Sequence, residues 1–349
     1  MKKQKSKGFA GVIVSLILII ALIAGGSALW HYRGKLFKTL PSADTDSAVK
    51  TTGEIKEICK DVNTVAELAE VQSNKDIIKI DYILPGLDTY TLNTVIYSKQ
   101  DNKVLSNTDF GTADFSTDIL NDGFYIAKST EKSVDFYSFD GTKTDTVNIP
   151  ADDAKGELSV SADGKYICFD NISASSLCLF DVDKNKVSTV CGTEAPVSFA
   201  GSDGDSFTVV FNGNRFVSVN MKTGESKSTT AAERIRCANE NGFVIKTDEG
   251  YAVLNSDGET EYTVKTDKND DEVLDFSDKK LVTASDNAIT VYPFENGGSD
   301  KASVTSAALS GAVRYEFGED VIRASFLSDG QLLVVTKSAG SGCRTFLYD

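Results

Sequence analysis

Chemistry in this chain has to be built mostly from carboxylates. The 349 residues hold 51 Asp and Glu, 36 Lys and Arg, and one histidine, His31. His31 lies near the amino end, so the rest of the chain has no imidazole. Ser–His–Asp and Cys–His nucleophile systems are excluded there, because both need a base that exchanges a proton near neutral pH. Ordinary His-ligated zinc and haem sites are excluded too. Asp267-Lys-Asn269-Asp-Asp271 has the spacing of a calcium loop, but Glu272 stands at the glycine position and Asp278 replaces the twelfth-position glutamate. Asp181-Val-Asp183-Lys-Asn185 repeats the spacing, with Lys186 and Gly192 at those two positions. Both segments read as hairpin turns, where Asp and Asn are ordinary residues. No metal site is assigned. No phosphate-cradling glycine loop and no Gly-x-Ser-x-Gly elbow occurs, so no cofactor and no catalytic residue is assigned either.

Arginine is scarce beyond the amino-terminal region, which singles out Arg234, Arg236 and Arg323. Each falls on a segment expected to line a central channel, where a guanidinium suits an anionic group. The plainer reading pairs them with neighbouring carboxylates. The six cysteines, Cys59, Cys168, Cys178, Cys191, Cys237 and Cys343, show no CxxC pair. They read as small buried apolar residues. Cys168 and Cys178 sit on adjacent strands of one expected hairpin, so a disulfide between them is left open.

The elements that must position these residues are short β-rich runs bounded by Asp/Asn-Gly turns. The clearest unit is Gly156 to Cys191. Leu158 and Val160 mark a first strand, Tyr166-Ile-Cys-Phe169 a second, Leu177-Cys-Leu-Phe180 a third and Val187-Ser-Thr-Val190 a fourth. The turn between the first two strands recurs as Asn121-Asp-Gly123, Asp163-Gly164, Asp203-Gly204, Asn241-Gly242, Asp278-Lys279 and Asp329-Gly330. The later turn recurs as Asp140-Gly141, Asn185, Thr223-Gly224, Asp257-Gly258 and Asn296-Gly297. Asp-Gly between apolar runs is a hairpin signal because both residues tolerate positive φ. A period near 40 residues with four strands per unit is the signature of a β-propeller. Runs such as Phe207-Thr-Val-Val-Phe211 are nearly continuously apolar, as expected for strands buried on both faces.

The fold expected is all-β: a seven-bladed propeller of four-stranded antiparallel blades, within a range of six to eight. The first blade is read from Ile77 to Leu84, Thr91 to Tyr97 and Val104-Leu105. The last blade supplies three strands, Val321 to Phe326, Leu332 to Val335 and Arg344 to Tyr348. A strand within Ala48 to Cys59 is expected to complete it, since an unpaired edge is a liability. The competing reading is a helix over Glu54 to Val71, where Ile55, Ile58, Val62, Val65, Leu68 and Val71 recur at helical spacing.

The start of the chain differs in kind. Lys2, Lys3, Lys5 and Lys7 precede an uncharged apolar run from Phe9 to Trp30, and Arg33, Lys35 and Lys38 follow it. About 20 apolar residues span a bilayer core. The run exceeds the usual core of a cleaved signal peptide. The basic excess before it favours an inside amino end. The expected organisation is a short cytoplasmic tail over 1–8, a transmembrane helix over 9–30, a juxtamembrane linker over 31–47 and an extracytoplasmic propeller over 48–349. The first 40 residues carry 7 of the 36 Lys and Arg and none of the 51 Asp and Glu, which leaves the rest at a formal −22. Such a charge keeps a domain soluble and repels polyanions, so nucleic acid is not an expected partner.

Phe216-Val-Ser-Val-Asn220-Met-Lys-Thr-Gly224-Glu225 looks like the strand–Asp-x-x-Thr-Gly–strand segment of quinoprotein propellers. Over roughly Ile77 to Asp349 the repeat resembles the quinoprotein-like and tryptophan–aspartate-like propeller superfamily. It departs from both: Trp30, the only tryptophan, lies in the apolar run, and Gly-His and Trp-Asp signatures are absent. That departure argues against a quinone cofactor. With the apolar run included, the whole chain resembles a family of signal-anchored β-propeller proteins of Gram-positive bacteria. The resemblance implies fold and location at the cell membrane, and no activity.

The function expected is a non-catalytic protein- or ligand-binding platform at the bacterial envelope, with another envelope or membrane protein as its partner. The alternative is an envelope enzyme of the glycan lyase or hydrolase type, using carboxylates, Tyr and Arg in the central funnel.

Overall fold

The computed structural model describes residues 55–348 except 63, 130, 151–155, 203, 267–270, 278, 286, 295–301, 305–311 and 339–341. The expected tail, transmembrane segment and linker lie outside the described residues. Among the described residues no helix is long and apolar enough to cross a membrane.

The described strands form seven sheets. The first strand, β1 (Ile55–Ile58), belongs to the last sheet. Blade 1 holds β2 (Leu68–Ser73), β3 (Ile77–Pro85), β4 (Tyr90–Ser98) and β5 (Lys103–Ala113); blade 2 holds β6 (Phe115–Ile119), β7 (Gly123–Lys128), β8 (Ser133–Ser138) and β9 (Lys143–Asn148). Blade 3 holds β10 (Leu158–Val160), β11 (Tyr166–Asn171), β12 (Ser176–Asp181) and β13 (Lys186–Gly192). Blade 4 follows with β14 (Val197–Ser202), β15 (Ser206–Phe211), β16 (Arg215–Asn220) and β17 (Ser226–Thr230). Blade 5 has β18 (Ile235–Asn239), β19 (Gly242–Thr247), β20 (Gly250–Leu254) and β21 (Thr260–Lys265). Blade 6 is built from β22 (Glu272–Phe276), β23 (Lys280–Ser285) and β24 (Ala288–Pro293), and the chain then forms β25 (Ala302–Val304) before returning as β26 (Val313–Glu316). Blade 7 comprises β27 (Asp320–Phe326), β28 (Leu332–Ser338) and β29 (Gly342–Tyr348), completed by β1.

Seven blades and the amino-terminal closure are as the repeat predicts. Ile55 pairs with Tyr348 and Ile58 with Thr345, antiparallel. The helix read over Glu54 to Val71 is corrected. Ile55–Ile58 and Leu68–Ser73 are strands, and the helical spacing arises because Ile58, Val62 and Ala66 drop in turn into one apolar cluster with Ile80, Leu333 and Leu347. Blade 5 is also corrected from four strands to five. The connection leaving β24 lays β25 parallel to β21, pairing Tyr262 with Ala302 and Val264 with Val304, before β26 completes blade 6.

Local chemistry explains the turns. In blade 4 the Asn220 side chain accepts the Lys222 and Thr223 amides at 3.0 and 2.9 Å, and Gly224 turns the chain at φ 70°. Asp140 with Gly141 and Asn255 with Gly258 repeat the device. At Asp181–Lys186, one of the calcium-like segments, the Asp181 carboxylate accepts the Lys184 amide and ammonium at 3.0 and 2.7 Å. That segment is a hairpin turn. Of the other, Asp267 to Asp278, residues 267–270 and 278 lie outside the described residues, and Glu272–Phe276 is the strand β22.

Each blade buries both faces. In blade 3, Ile167, Phe169, Cys178 and Phe180 pack toward blade 2, whereas Cys168, Leu177 and Leu179 pack toward blade 4. This settles the cysteine question. Cys168 pairs with Leu179 and Cys178 with Phe169, so the two thiols point to opposite faces, and all six cysteines are free.

Blade 7 depends on the closing strand for its outer edge. Ile58 is 3% exposed, within the cluster that joins blades 7 and 1. Ile58→Ala is expected to cost about 2–5 kcal/mol, read as a fall in the urea midpoint; an unchanged midpoint would show that the closure carries no weight.

Candidate functional site

The inner strands β2, β6, β10, β14, β18, β22 and β27 stand around the axis, each against the next and β27 against β2. They carry short side chains that reach across to the backbone of the neighbouring blade. Asp275 on β22 accepts the Phe326 amide of β27 at 2.9 Å. Asn239 on β18 donates to the Phe276 carbonyl of β22 at 2.8 Å. Ser116 on β6 accepts the Leu158 amide of β10 at 3.1 Å, and Glu157 accepts the Phe199 amide of β14 at 3.4 Å. These bonds satisfy inner-strand backbone groups that a blade cannot pair by itself.

The three arginines are placed unequally. Arg236 lies on β18 and is exposed, and Arg323 lies on β27, half-buried, donating from Nε to Ser325 Oγ at 2.8 Å. Arg234 is corrected: β18 begins one residue later, and the Arg234 side chain is exposed over the turn at Gly213. Blade 6 separates β18 from β27 in the ring. Arg323 exerts its charge on Asp275 and Glu70.

A carboxylate group passed over by sequence reading is the strongest electrostatic feature. Glu70 on β2, Asp118 on β6, Glu157 before β10 and Asp275 on β22 all belong to the inner ring. Glu70 and Glu157 are exposed to solvent, although protein is packed around them. Burial pushes Asp118 up to about 6; the Lys79 ammonium opposes this, and Asp81 and Glu70 add repulsion. Burial also lifts Glu157 to about 7, against the Phe199 amide, and Asp275 to about 6, against Arg323. Glu70 is raised by burial and by the Asp81 carboxylate, with Arg323 and Lys79 opposing, and it accepts no hydrogen bond among the described residues.

Beside this group lies a fully buried ion pair. Lys79 and Asp81 on β3 bond to each other, Lys79 donates to Gln72 at 3.0 Å, and Thr94 donates to Asp81 at 2.6 Å. Both side chains are 0% exposed, which a charged pair tolerates only when its remaining hydrogen-bonding groups are matched. A signal for it stood in the sequence: Lys79 and Asp81 interrupt the apolar run Ile77 to Leu84 two residues apart, hence on one face of a strand.

Other candidates are chemically quiet. Burial pushes the Cys59 and Cys237 thiols up to about 12, so neither is a nucleophile at neutral pH. Among the described residues no three His, Cys, Asp or Glu side chains converge as a metal site. An open groove of about 530 Å³ on blade 4 is lined by Ser206, Ser218, Asn220, Glu225, Ser226 and Lys227. Asn220 there is committed to its turn, and Lys227 to Asp257 of blade 5.

No family model matches the chain. No curated protein matches it. Its fold is nonetheless shared with solved β-propellers. The β-propeller domain of Cps50 (Swd1) from Myceliophteria thermophila covers 85% of this chain and 100% of its own length, at TM-score 0.55 and 10% identity. Streptogramin B lyase covers 87% of this chain and 100% of its own, at TM-score 0.54 and 11% identity. The WD40 domain of coronin from Toxoplasma gondii covers 86% and 87%, at TM-score 0.53 and 12% identity. At such identities the likeness shows the fold alone.

The raised carboxylates set a pH dependence. A folded pKa above the unfolded value of about 4 means that the folded ring holds the proton more tightly. The contribution of Asp118 and Asp275 is therefore full below about pH 4 and lost as pH rises through about 6. The thermal midpoint is expected to rise between pH 7.5 and pH 5.5, with a shallower slope in Asp118→Asn. A midpoint that falls over that interval, or an identical slope in the variant, would contradict this.

Proposed function

We propose that this protein is a non-catalytic binding platform, a β-propeller held on the outer face of a bacterial cell membrane by one helix over 9–30. Its partner is another envelope or membrane protein. The observation that carries this reading is the use made of the inner strands: Asp275, Glu157, Asn239 and Ser116 are committed to the backbone of the next blade. The polar groups around the axis thus serve the ring, and recognition falls to its faces. The uncharged run Phe9 to Trp30, with its basic flanks, supports the tether, and the formal −22 of the remainder suits a domain in aqueous surroundings. The resemblance to signal-anchored propellers of Gram-positive bacteria points the same way. Arg234, Arg236 and Arg323 offer contacts to an anionic group on a partner.

Photo-crosslinking of the full chain in its own cells, followed by mass spectrometry, tests the platform. A reproducible envelope or membrane protein is expected. A carboxyl-terminal reporter active only in the cytoplasm is expected to stay silent; strong activity would overturn the topology, and failure to capture any membrane or envelope protein would overturn the platform.

One observation favours a second reading, an enzyme of the lyase or hydrolase type. Glu70 is an unbonded channel carboxylate with a raised pKa, beside Asp118 and within the field of Arg323. Such a group is suited to donating a proton at near-neutral pH. Under this reading Glu70→Gln abolishes turnover of envelope glycan fragments without lowering the thermal midpoint. Equal turnover by the variant, or none by the native chain, would dismiss it.

A further inference from the structure

Of the six large apolar side chains that stand exposed among the described residues, five share one face of the ring. Leu87 is fully exposed at 102%, Val65 at 61% and Ile172 at 59%, with Leu68 and Leu84 at 39% and 38%. All five lie on the face formed by the turns between second and third strands and by the blade-to-blade connections. Leu84 and Leu87 belong to the β3–β4 hairpin, which runs past the start of β2, where Leu68 pairs with Ile83. Ile172 lies in the turn between β11 and β12 of blade 3. The chain enters the ring on the other face, where the sixth, Ile55 at 47%, sits beside Tyr348 and Leu332, next to the Asp329-Gly330 turn. These five apolar points therefore look away from the entry of the chain.

The same loops are acidic. Asp61, Glu67, Asp88, Glu233 and Asp248 are exposed there and outnumber the exposed cations Lys60, Lys132 and Arg234. Exposed apolar points within a charged frame mark interaction surfaces, and the frame selects the sign of the partner. An anionic lipid surface would be repelled, and a second copy would bring the same acidic face.

We propose that this face docks a basic, amphipathic segment of a partner protein. Its apolar side chains seat on the Leu84–Leu87 hairpin and on Ile172, while its Lys and Arg face the surrounding carboxylates. The proposal rests on the platform reading and adds the face and the chemistry of the partner.

The test uses the full chain in nanodiscs of zwitterionic lipid and three labelled helical peptides: Lys/Leu amphipathic, Lys/Ser of equal charge, and Glu/Leu amphipathic. Fluorescence anisotropy is expected to show binding of the Lys/Leu peptide alone, weakened by high salt. The double variant L87S/I172S is expected to raise its Kd about tenfold or more, whereas D163N, on the opposite face, leaves it unchanged. Equal binding of the Lys/Ser peptide, or a Kd indifferent to L87S/I172S, would overturn the proposal. Self-association of the native chain that L87S/I172S abolishes would assign the face to a second copy instead. A crosslinked envelope partner obtained alongside a negative peptide result would sink this face and leave the platform standing; loss of both would sink both.

Discussion

A blade of this protein is apolar on both sides, and no blade can bury itself. Phe169 and Phe180 need blade 2, and Leu177 and Leu179, on the other face, need blade 4. The requirement passes from blade to blade until the last one needs the first, so closure of the ring is the condition on which every other contact rests. The pairing of Ile55–Ile58 with Thr345–Tyr348 meets it with residues nearly three hundred positions apart. Tyr82 of blade 1 and Thr345 of blade 7 add a buried hydroxyl–hydroxyl bond at 2.7 Å.

Closing the ring in turn crowds charge around the axis. Seven inner strands meet there, and the carboxylates among them are raised by the protein packed around them. Asp118 gains partial relief from Lys79, and Asp275 from Arg323. The amide of Phe326, given to Asp275, is both a joint between blades and part of that relief. Stability and electrostatics are thus set by the same few side chains.

The turn residues were the most legible part of the fold, because Asn220-x-x-Thr223-Gly224 and Asp140-Gly141 specify their own backbone through local hydrogen bonds and positive φ. The closing strand was only half legible: Ile55 and Ile58 fit a helix as well as a strand, and the choice was made by a partner strand at the far end of the chain. The fifth strand of blade 5 was not legible, since nothing near Ala302–Val304 names β21 as its neighbour. The channel carboxylates were hidden by abundance, for in an acidic chain one Asp on one strand looks like any other. The axis identifies Glu70, Asp118 and Asp275 only after the blades have been assembled. Lys79 and Asp81 were the exception, visible as two charges inside an apolar run.

The closing strand is also the point through which the preceding chain is attached. β1 runs antiparallel to β29, and Ile55 is its end nearest the incoming chain. A pull along the strand from that end slides β1 against β29, so the four paired residues bear the load together instead of opening one after another. The seam of the ring therefore meets a pull along its closing strand in shear.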